Sequence, residues 1–209
     1  HWLGTCLRLV PDDFRLATRF GRGADWPLAY DALEPWYAEA ESEIGVAGDS
    51  ADDLGSPRSK PYPMPAIAMS YVDRHIAQAF AGTPYQVRAT PQGRNSVVRD
   101  NRPPCCGNNS CIPICPIQAK YDATVHVARA EAAGARVLAQ SVVYGIDVGG
   151  DRKVMAVRYK RPDGSTARLT GKVFVLAAHA MEIPKLLLMS KGPGAPNGVA
   201  NASDQVGRH

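Results

Sequence analysis

Four of the five cysteines in this 209-residue chain lie within one short stretch, at positions 105, 106, 111 and 115. The fifth, Cys6, lies far from them. Thiolates are soft metal ligands, and neighbouring thiols also form disulfides or redox couples. This cysteine loop, residues 100–120, therefore predicts a metal centre, a redox dithiol or a disulfide-bonded loop.

The spacing within the cysteine loop favours an iron–sulfur cluster over a zinc site. Zinc ribbons and fingers supply two pairs of ligands separated by a longer spacer, and this chain has no second pair. Iron–sulfur clusters are held by the thiolates of short loops, and a proline directly after the last cysteine, as in Cys115-Pro116, is typical of ferredoxin-type runs. No CxxC spacing exists for a dithiol site. A disulfide-bonded loop remains an alternative.

The adjacent pair, Cys105 and Cys106, reduces the number of expected ligands to three. Neighbouring side chains of an extended segment point in opposite directions, so both are not expected to bind one compact cluster. One member of the pair, together with Cys111 and Cys115, provides three thiolates, which suits a [3Fe–4S] cluster. The spacing does not decide which member is the ligand.

The elements around this loop indicate a mixed α/β fold class. Caps and apolar periodicity predict helices at about 31–44, 71–81, 121–133 and 182–190. Strands are predicted at 86–89, 136–140, 141–148, 154–159, 166–169 and 173–178, with a turn at 162–164. The later strands read as a β-meander. The fully apolar run 173–178, next to a helix, indicates a buried strand of a parallel sheet covered on both faces.

Particular residues define the ends and faces of the first two helices. Asp31 is expected to cap the first helix, Gly45 to end it and Ser70 to begin the second. The apolar face expected for the first helix consists of Leu33, Trp36, Tyr37, Ala40 and Ile44.

Composition bears on the classes of partner. The net charge is +4 and no basic block occurs, so a nucleic-acid partner is not expected. No stretch approaches the roughly 18 apolar residues of a membrane helix. With 45% hydrophobic residues the chain can bury a core.

Several segments together resemble the glucose–methanol–choline (GMC) flavoprotein oxidoreductases. They are His1-Trp2, residues 11–14, 21–27, 33–37, 115–122 and 134–137, the segment 177–190 and the tail 201–208. Within that family, the vicinal-cysteine loop resembles the flavin catalytic subunits of bacterial sugar dehydrogenases of the glucose, fructose, gluconate and sorbitol type. Those subunits carry a [3Fe–4S] cluster in addition to FAD.

The resemblance implies roles for particular residues. It implies that Cys105, Cys111 and Cys115 hold the cluster and that Cys106 is spared. It implies FAD contacts at His1, Trp2, Val143, Ala178 and His179, with His179 at a position where the family usually has glycine or serine. Lys120 is expected to be a solvated charge rather than a residue that tunes the cluster.

The resemblance also implies a domain organisation. Residues 1–99 are expected to be a helical and loop region bordering the flavin and substrate domain, followed by the iron–sulfur loop at 100–120. Residues 121–209 are expected to be part of a Rossmann-like FAD-binding domain. The family's Gly-x-Gly-x-x-Gly fingerprint is missing here, and its catalytic histidine is expected beyond the C-terminus. The chain is therefore expected to be an internal piece, without the N-terminal βαβ unit and the catalytic segment.

For the whole enzyme, the resemblance implies oxidation of a CH–OH group of a sugar or polyol by hydride transfer to flavin. Electrons are then expected to pass through the cluster to a multihaem cytochrome c subunit. A small export-assisting subunit, a periplasmic location and membrane association only through the cytochrome are further expectations. One alternative is a cluster-free enzyme of the same family with a disulfide in the loop. Another is a non-enzymatic metal-binding module.

Overall fold

The structure, a computed structural model, describes residues 3–208. In chain order its elements are a 3-10 helix Pro11–Arg15, α1 Leu16–Phe20, α2 Tyr30–Ile44, α3 Tyr71–Ala79, α4 Thr124–Ala132, β1 Val142–Val148, β2 Val154–Lys160, β3 Thr166–Thr170 and α5 Glu182–Met189. The predicted mixed α/β class is confirmed. The chain divides into two compact units, His1–Ala130 and Glu131–His209. In the described range, no helix combines the length and the apolar character needed to span a membrane.

The end of α2 is as predicted, but its beginning is not. Gly45 has a φ of 78°, a left-handed conformation that favours glycine, and its N–H donates to the Glu41 carbonyl at 3.0 Å. The residue before the helix is Ala29, which provides no side-chain cap, so the prediction of Asp31 as the cap is wrong. Asp31 lies in the first turn instead, where its carboxylate stabilises the helix dipole.

The apolar face predicted for α2 is also wrong. Trp36 is 69% exposed, whereas the buried side of the helix carries Glu34, Ala38 and Glu41. Arg8, itself buried, donates from Nη1 to Glu34 Oε1 at 2.9 Å and from Nε to Glu41 Oε1 at 2.8 Å. Arg58 donates to the Glu41 carboxylate as well, at 3.2 Å through Nη1. Because two guanidiniums compensate the two carboxylates, this face of the helix can bury charged residues.

Helices α3, α4 and α5 form where the sequence predicts them. Ser70 caps α3: its Oγ accepts a hydrogen bond from the Asp73 N–H at 3.1 Å, and Asp73 Oδ2 accepts one from the Ser70 N–H at 3.0 Å. This reciprocal pair is a capping box. Helix α4 is shorter than predicted, because the Asp122 carboxylate accepts the Thr124 N–H at 2.9 Å and begins the helix there. Helix α5 has Pro184 in its first turn, as expected.

Residues 91–95 hold the first unit together through backbone hydrogen bonds. Gln92 exchanges two of them with Ala47, at 2.9 Å and 2.8 Å, and the Gly93 carbonyl accepts the Tyr121 N–H at 2.8 Å. The strand predicted at 86–89 is wrong, since the backbone pairing lies a few residues later and consists of isolated bridges.

The second unit contains the predicted β-meander. Strands β1, β2 and β3 pair in that order and antiparallel, with Val143 opposite Tyr159 in the first pair. The predicted turn between β2 and β3 is confirmed, and Gly164 in it has a φ of 83°. Helix α5 is joined to β1 at its end, where Ser190 Oγ accepts the Ile146 N–H at 2.9 Å.

The strands predicted at 136–140 and 173–178 are wrong. The latter segment was expected to be buried, yet Val173 is 80% exposed and Val175 is 83% exposed. A strand requires a neighbour to accept its hydrogen bonds, and the described residues place none beside either segment. The sheet that forms in this range is antiparallel, so the expectation of a parallel sheet is not met there.

Candidate functional site

Asn95 closes the cysteine loop at its base. Its carbonyl accepts the Cys105 N–H at 2.8 Å, and its own N–H donates to the Ala119 carbonyl at 2.8 Å. Its side-chain amide donates to the Arg102 carbonyl at 3.1 Å, and the residue is 1% exposed. One buried residue therefore holds the start and the end of the loop, which determines where Cys105 leaves the core.

Cys115 is the buried thiol of the loop, with 7% of its surface exposed. Burial opposes ionisation of this thiol, but the backbone N–H groups of residues 117–120 are directed at its sulfur. Their hydrogen bonds outweigh burial, so the pKa of Cys115 is lowered. The thiolate is the form that binds metals. The local backbone therefore favours the ligand form of Cys115.

Lys120 lies beneath the same loop. It is 6% exposed, and its Nζ donates to the Cys111 carbonyl at 2.7 Å. The expectation that Lys120 is a solvated charge is therefore wrong. Its ammonium reaches the loop because the isolated bridge between Lys120 and Arg94 places residue 120 in the core of the unit.

Two arginines add positive charge on this side of the loop. Arg102 is 6% exposed, and its Nη1 donates to the Gln118 carbonyl at 3.3 Å. Its Nη2 lies 3.6 Å from Asp100 Oδ2. Within residues 3–208, Arg102 Nε, Arg102 Nη2 and Arg94 Nε are buried atoms without a hydrogen-bond partner. The guanidinium groups of Arg94 and Arg102 can therefore interact with a negatively charged group in the loop.

The three predicted ligands differ in exposure. All five cysteines, which belong to the described range, are free thiols. Cys105 and Cys111 are half-buried, Cys106 is exposed and Cys115 is buried. Across residues 3–208 no three His, Cys, Asp or Glu side chains gather as they would to hold a metal ion. The donor chemistry fits an iron–sulfur cluster, whereas the ligand set Cys105, Cys111 and Cys115 stays a prediction.

A cavity of about 830 Å³ lies beside the loop. Its wall includes residues 66–70, residues 87–90 and the side of the loop that carries Cys105, Gly107 and Asn109. The volume is that of a small-molecule pocket. Cys105 therefore lines the cavity, whereas the buried Cys115 does not.

The predicted FAD-contact residues fall in two places. His1 and Trp2 lie outside the described residues. Val143, on β1, is 40% exposed, and Ala178 and His179 are exposed ahead of α5. His179 has a φ of 100°, in the region that favours glycine. Its Nδ1 accepts the Met181 N–H at 3.2 Å. The side chains of Val143, Ala178 and His179 are not buried in a core, so they are accessible to a ligand.

Sequence reasoning did not single out Asn95 or Arg102, and it misassigned Lys120. Asn95 and Arg102 stand among other polar residues ahead of the first loop cysteine, without a motif of their own. Their contacts with Ala119, Cys105 and Gln118 join distant positions of the chain. The buried pair Glu34 and Glu41 did carry a signal, since a spacing of seven residues places both on one side of a helix.

Comparison with known proteins indicates the class of protein to which this chain is similar. No family model matches the chain. The chain is 39% identical, over its whole length, to the large subunit of a fructose dehydrogenase from Gluconobacter japonicus. It is 31% identical, again over its whole length, to a 6'''-hydroxyparomomycin C oxidase from Streptomyces lividus. It is 34% identical, over 92% of its length, to an uncharacterised GMC-type oxidoreductase of Mycobacterium tuberculosis.

By name the three relatives are a dehydrogenase, an oxidase and an oxidoreductase, in agreement with the resemblance that the sequence indicated. The resemblance to the GMC-type oxidoreductases, and among them to a sugar dehydrogenase catalytic subunit, is confirmed by these relatives. It spans 39% of the length of the first two relatives and 27% of the third.

Proposed function

We propose that the full-length protein containing this chain is an FAD-dependent dehydrogenase that oxidises a CH–OH group of a sugar or polyol. The observation that carries this proposal is the 39% identity to the fructose dehydrogenase large subunit across all of the chain. When bound, FAD supplies the acceptor for a hydride, which no amino-acid side chain provides. The catalytic histidine of the family is proposed to lie outside this chain.

The second unit is proposed to hold part of the FAD. Val143 offers a half-exposed strand position, and Ala178 and His179 offer an exposed turn ahead of α5. The left-handed backbone at His179 brings its ring back over the start of the helix, where Nδ1 accepts the Met181 N–H. We assign His1 and Trp2 to the same cofactor from the family resemblance alone. A Rossmann-like FAD-binding domain is the fold proposed for the whole.

We further propose that Cys105, Cys111 and Cys115 hold a [3Fe–4S] cluster. Support comes from the chemistry of three free thiols in one loop and from the amide groups directed at Cys115. When bound, the cluster supplies one-electron transfer, for which a cytochrome c subunit is the proposed acceptor. A small export-assisting subunit and a periplasmic location belong to the same proposal. The relative is named a large subunit, which implies that the relative has another subunit.

Cofactor analysis of the full-length protein tests both proposals. We expect one FAD and about three irons per protein after anaerobic purification, with an electron paramagnetic resonance signal in the oxidised state. Cys111→Ala should lose iron, and Cys106→Ala is the matched control that should keep it. Protein with FAD but without iron would contradict the cluster. Peptide mapping without reductant would then reveal whether Cys105 and Cys111 form the disulfide of the cluster-free alternative.

Substrate oxidation is tested separately from the cofactors. The full-length protein should reduce an artificial electron acceptor with one or more members of a panel of hexoses, hexitols and sugar acids. A protein that binds iron but neither FAD nor any panel compound would favour the alternative of a non-enzymatic metal-binding module.

A further inference from the structure

Lys120 contacts both of the later cysteines of the loop. Its Nζ donates to the Cys111 carbonyl at 2.7 Å, and its backbone N–H is among those directed at the Cys115 sulfur. The residue is 6% exposed, so this geometry is formed inside the protein rather than at its surface.

The charge around Lys120 is predominantly positive. Arg102 is buried at the start of the loop, and the backbone of Arg94 pairs with that of Lys120 in an isolated β-bridge. Two carboxylates lie in the same region: Asp100 is 2.9 Å from Arg129, and the pKa of Asp122 is lowered by hydrogen bonds from Thr124 and by the charges of Arg102 and Lys120. Charges interact strongly where water is excluded, so an anionic group in the loop would be stabilised by this setting.

We propose that the Lys120 ammonium compensates the negative charge of the thiolates and thereby raises the reduction potential of the cluster that they hold. This inference rests on the proposed [3Fe–4S] cluster. Reduction adds negative charge, and a fixed cation nearby favours the reduced state. Lys120 acts through Cys111 and Cys115, so it is a positioning residue and not a catalytic one.

Two substitutions separate the charge of Lys120 from its hydrogen bond. Lys120→Gln keeps a donor for the Cys111 carbonyl but removes the charge, whereas Lys120→Arg keeps both. Lys153→Gln is the control, because its side chain is 81% exposed and belongs to the other unit. Iron per protein and the midpoint potential of the cluster, titrated by electron paramagnetic resonance, are measured on the full-length protein.

The expected result is a more negative potential in Lys120→Gln, with Lys120→Arg and Lys153→Gln close to the wild type. Loss of iron from Lys120→Gln but not from Lys120→Arg also supports a role of the charge. A Lys120→Gln potential equal to the wild type overturns the inference, and so does equal damage in Lys120→Gln and Lys120→Arg. Absence of iron from the wild-type protein contradicts the proposed function itself, so the two failures are distinguishable.

Discussion

Replacing Glu41 by Gln tests whether the buried charges on α2 hold the first unit together. The Glu41 side chain is 8% exposed, and both of its oxygens accept hydrogen bonds from Arg8 at 2.8 Å. Arg58 donates to the same carboxylate, at 3.2 Å through Nη1 and at shorter range through Nη2. The substitution removes the negative charge and leaves Arg8 with Glu34 as its acidic partner.

The size of the effect follows from burial. Removing one partner of a buried ion pair costs about 3–5 kcal/mol, since the remaining charge is left in a medium of low polarity. The matched control is Asp12→Asn, which removes an equally bidentate pair with Arg19 at 3.0 Å. Those side chains are 45% and 55% exposed, and such surface pairs contribute about 0–1 kcal/mol. The two variants should therefore differ by about 3 kcal/mol, more than a hundredfold in the opening equilibrium.

Hydrogen exchange of the amides in residues 30–44 measures this difference. We expect the free energy of opening of α2 to fall strongly in Glu41→Gln and little in Asp12→Asn. Urea denaturation of the same proteins, followed by circular dichroism, provides an independent midpoint. Equal losses in the two variants would refute the reasoning, because burial would then not be what makes the Glu41 pair matter.

Three further predictions concern single residues. Hydrogen bonds from Ser59 and Arg8 hold the pKa of Glu34 at about 2, below its ordinary 4.5. Its contribution to stability is therefore complete above pH 4.5 and lost as the pH falls to about 2, and Glu34→Gln should flatten acid denaturation in that window. Asn95→Ala should speed hydrogen exchange across residues 102–120, at a cost of about 1 kcal/mol, because the Arg102 carbonyl loses one of its two donors and keeps only the Arg99 N–H; unchanged exchange would contradict a role of the Asn95 side chain in closing the loop. Ser70→Ala should destabilise α3 by about 1 kcal/mol, whereas Ser70→Thr should not, as thermal unfolding would show.

Much of the secondary structure could be predicted because its signals are local. The capping box at Ser70, the helix end at Gly45 and the turn before Gly164 depend on residues within a few positions of one another. The β-meander follows from alternating strands joined by short turns. Local rules failed where an element needs a neighbouring strand. The apolar composition of segment 173–178 predicts a strand, but a strand forms only beside another strand.

The buried face of α2 shows a different limit of prediction from the sequence. Apolar periodicity placed Trp36 on the inner face, yet Trp36 is exposed and Glu34 and Glu41 are buried. Their burial is possible because Arg8, which precedes the helix by more than twenty residues, and Arg58, which follows it, bring compensating charges. Periodicity scores residues singly, so it cannot register that two unlike charges are buried together.

By itself, the sequence determined which atoms are available for chemistry. The spacing of the loop cysteines indicated an iron–sulfur cluster, and the resemblance along the chain indicated the oxidoreductase class to which the relatives belong by name. Only the tertiary structure decided what surrounds those thiols. Asn95 and Lys120 reach the loop through hydrogen bonds between distant segments. The burial of a lysine depends on what the folded chain places over it, which no local pattern of residues specifies.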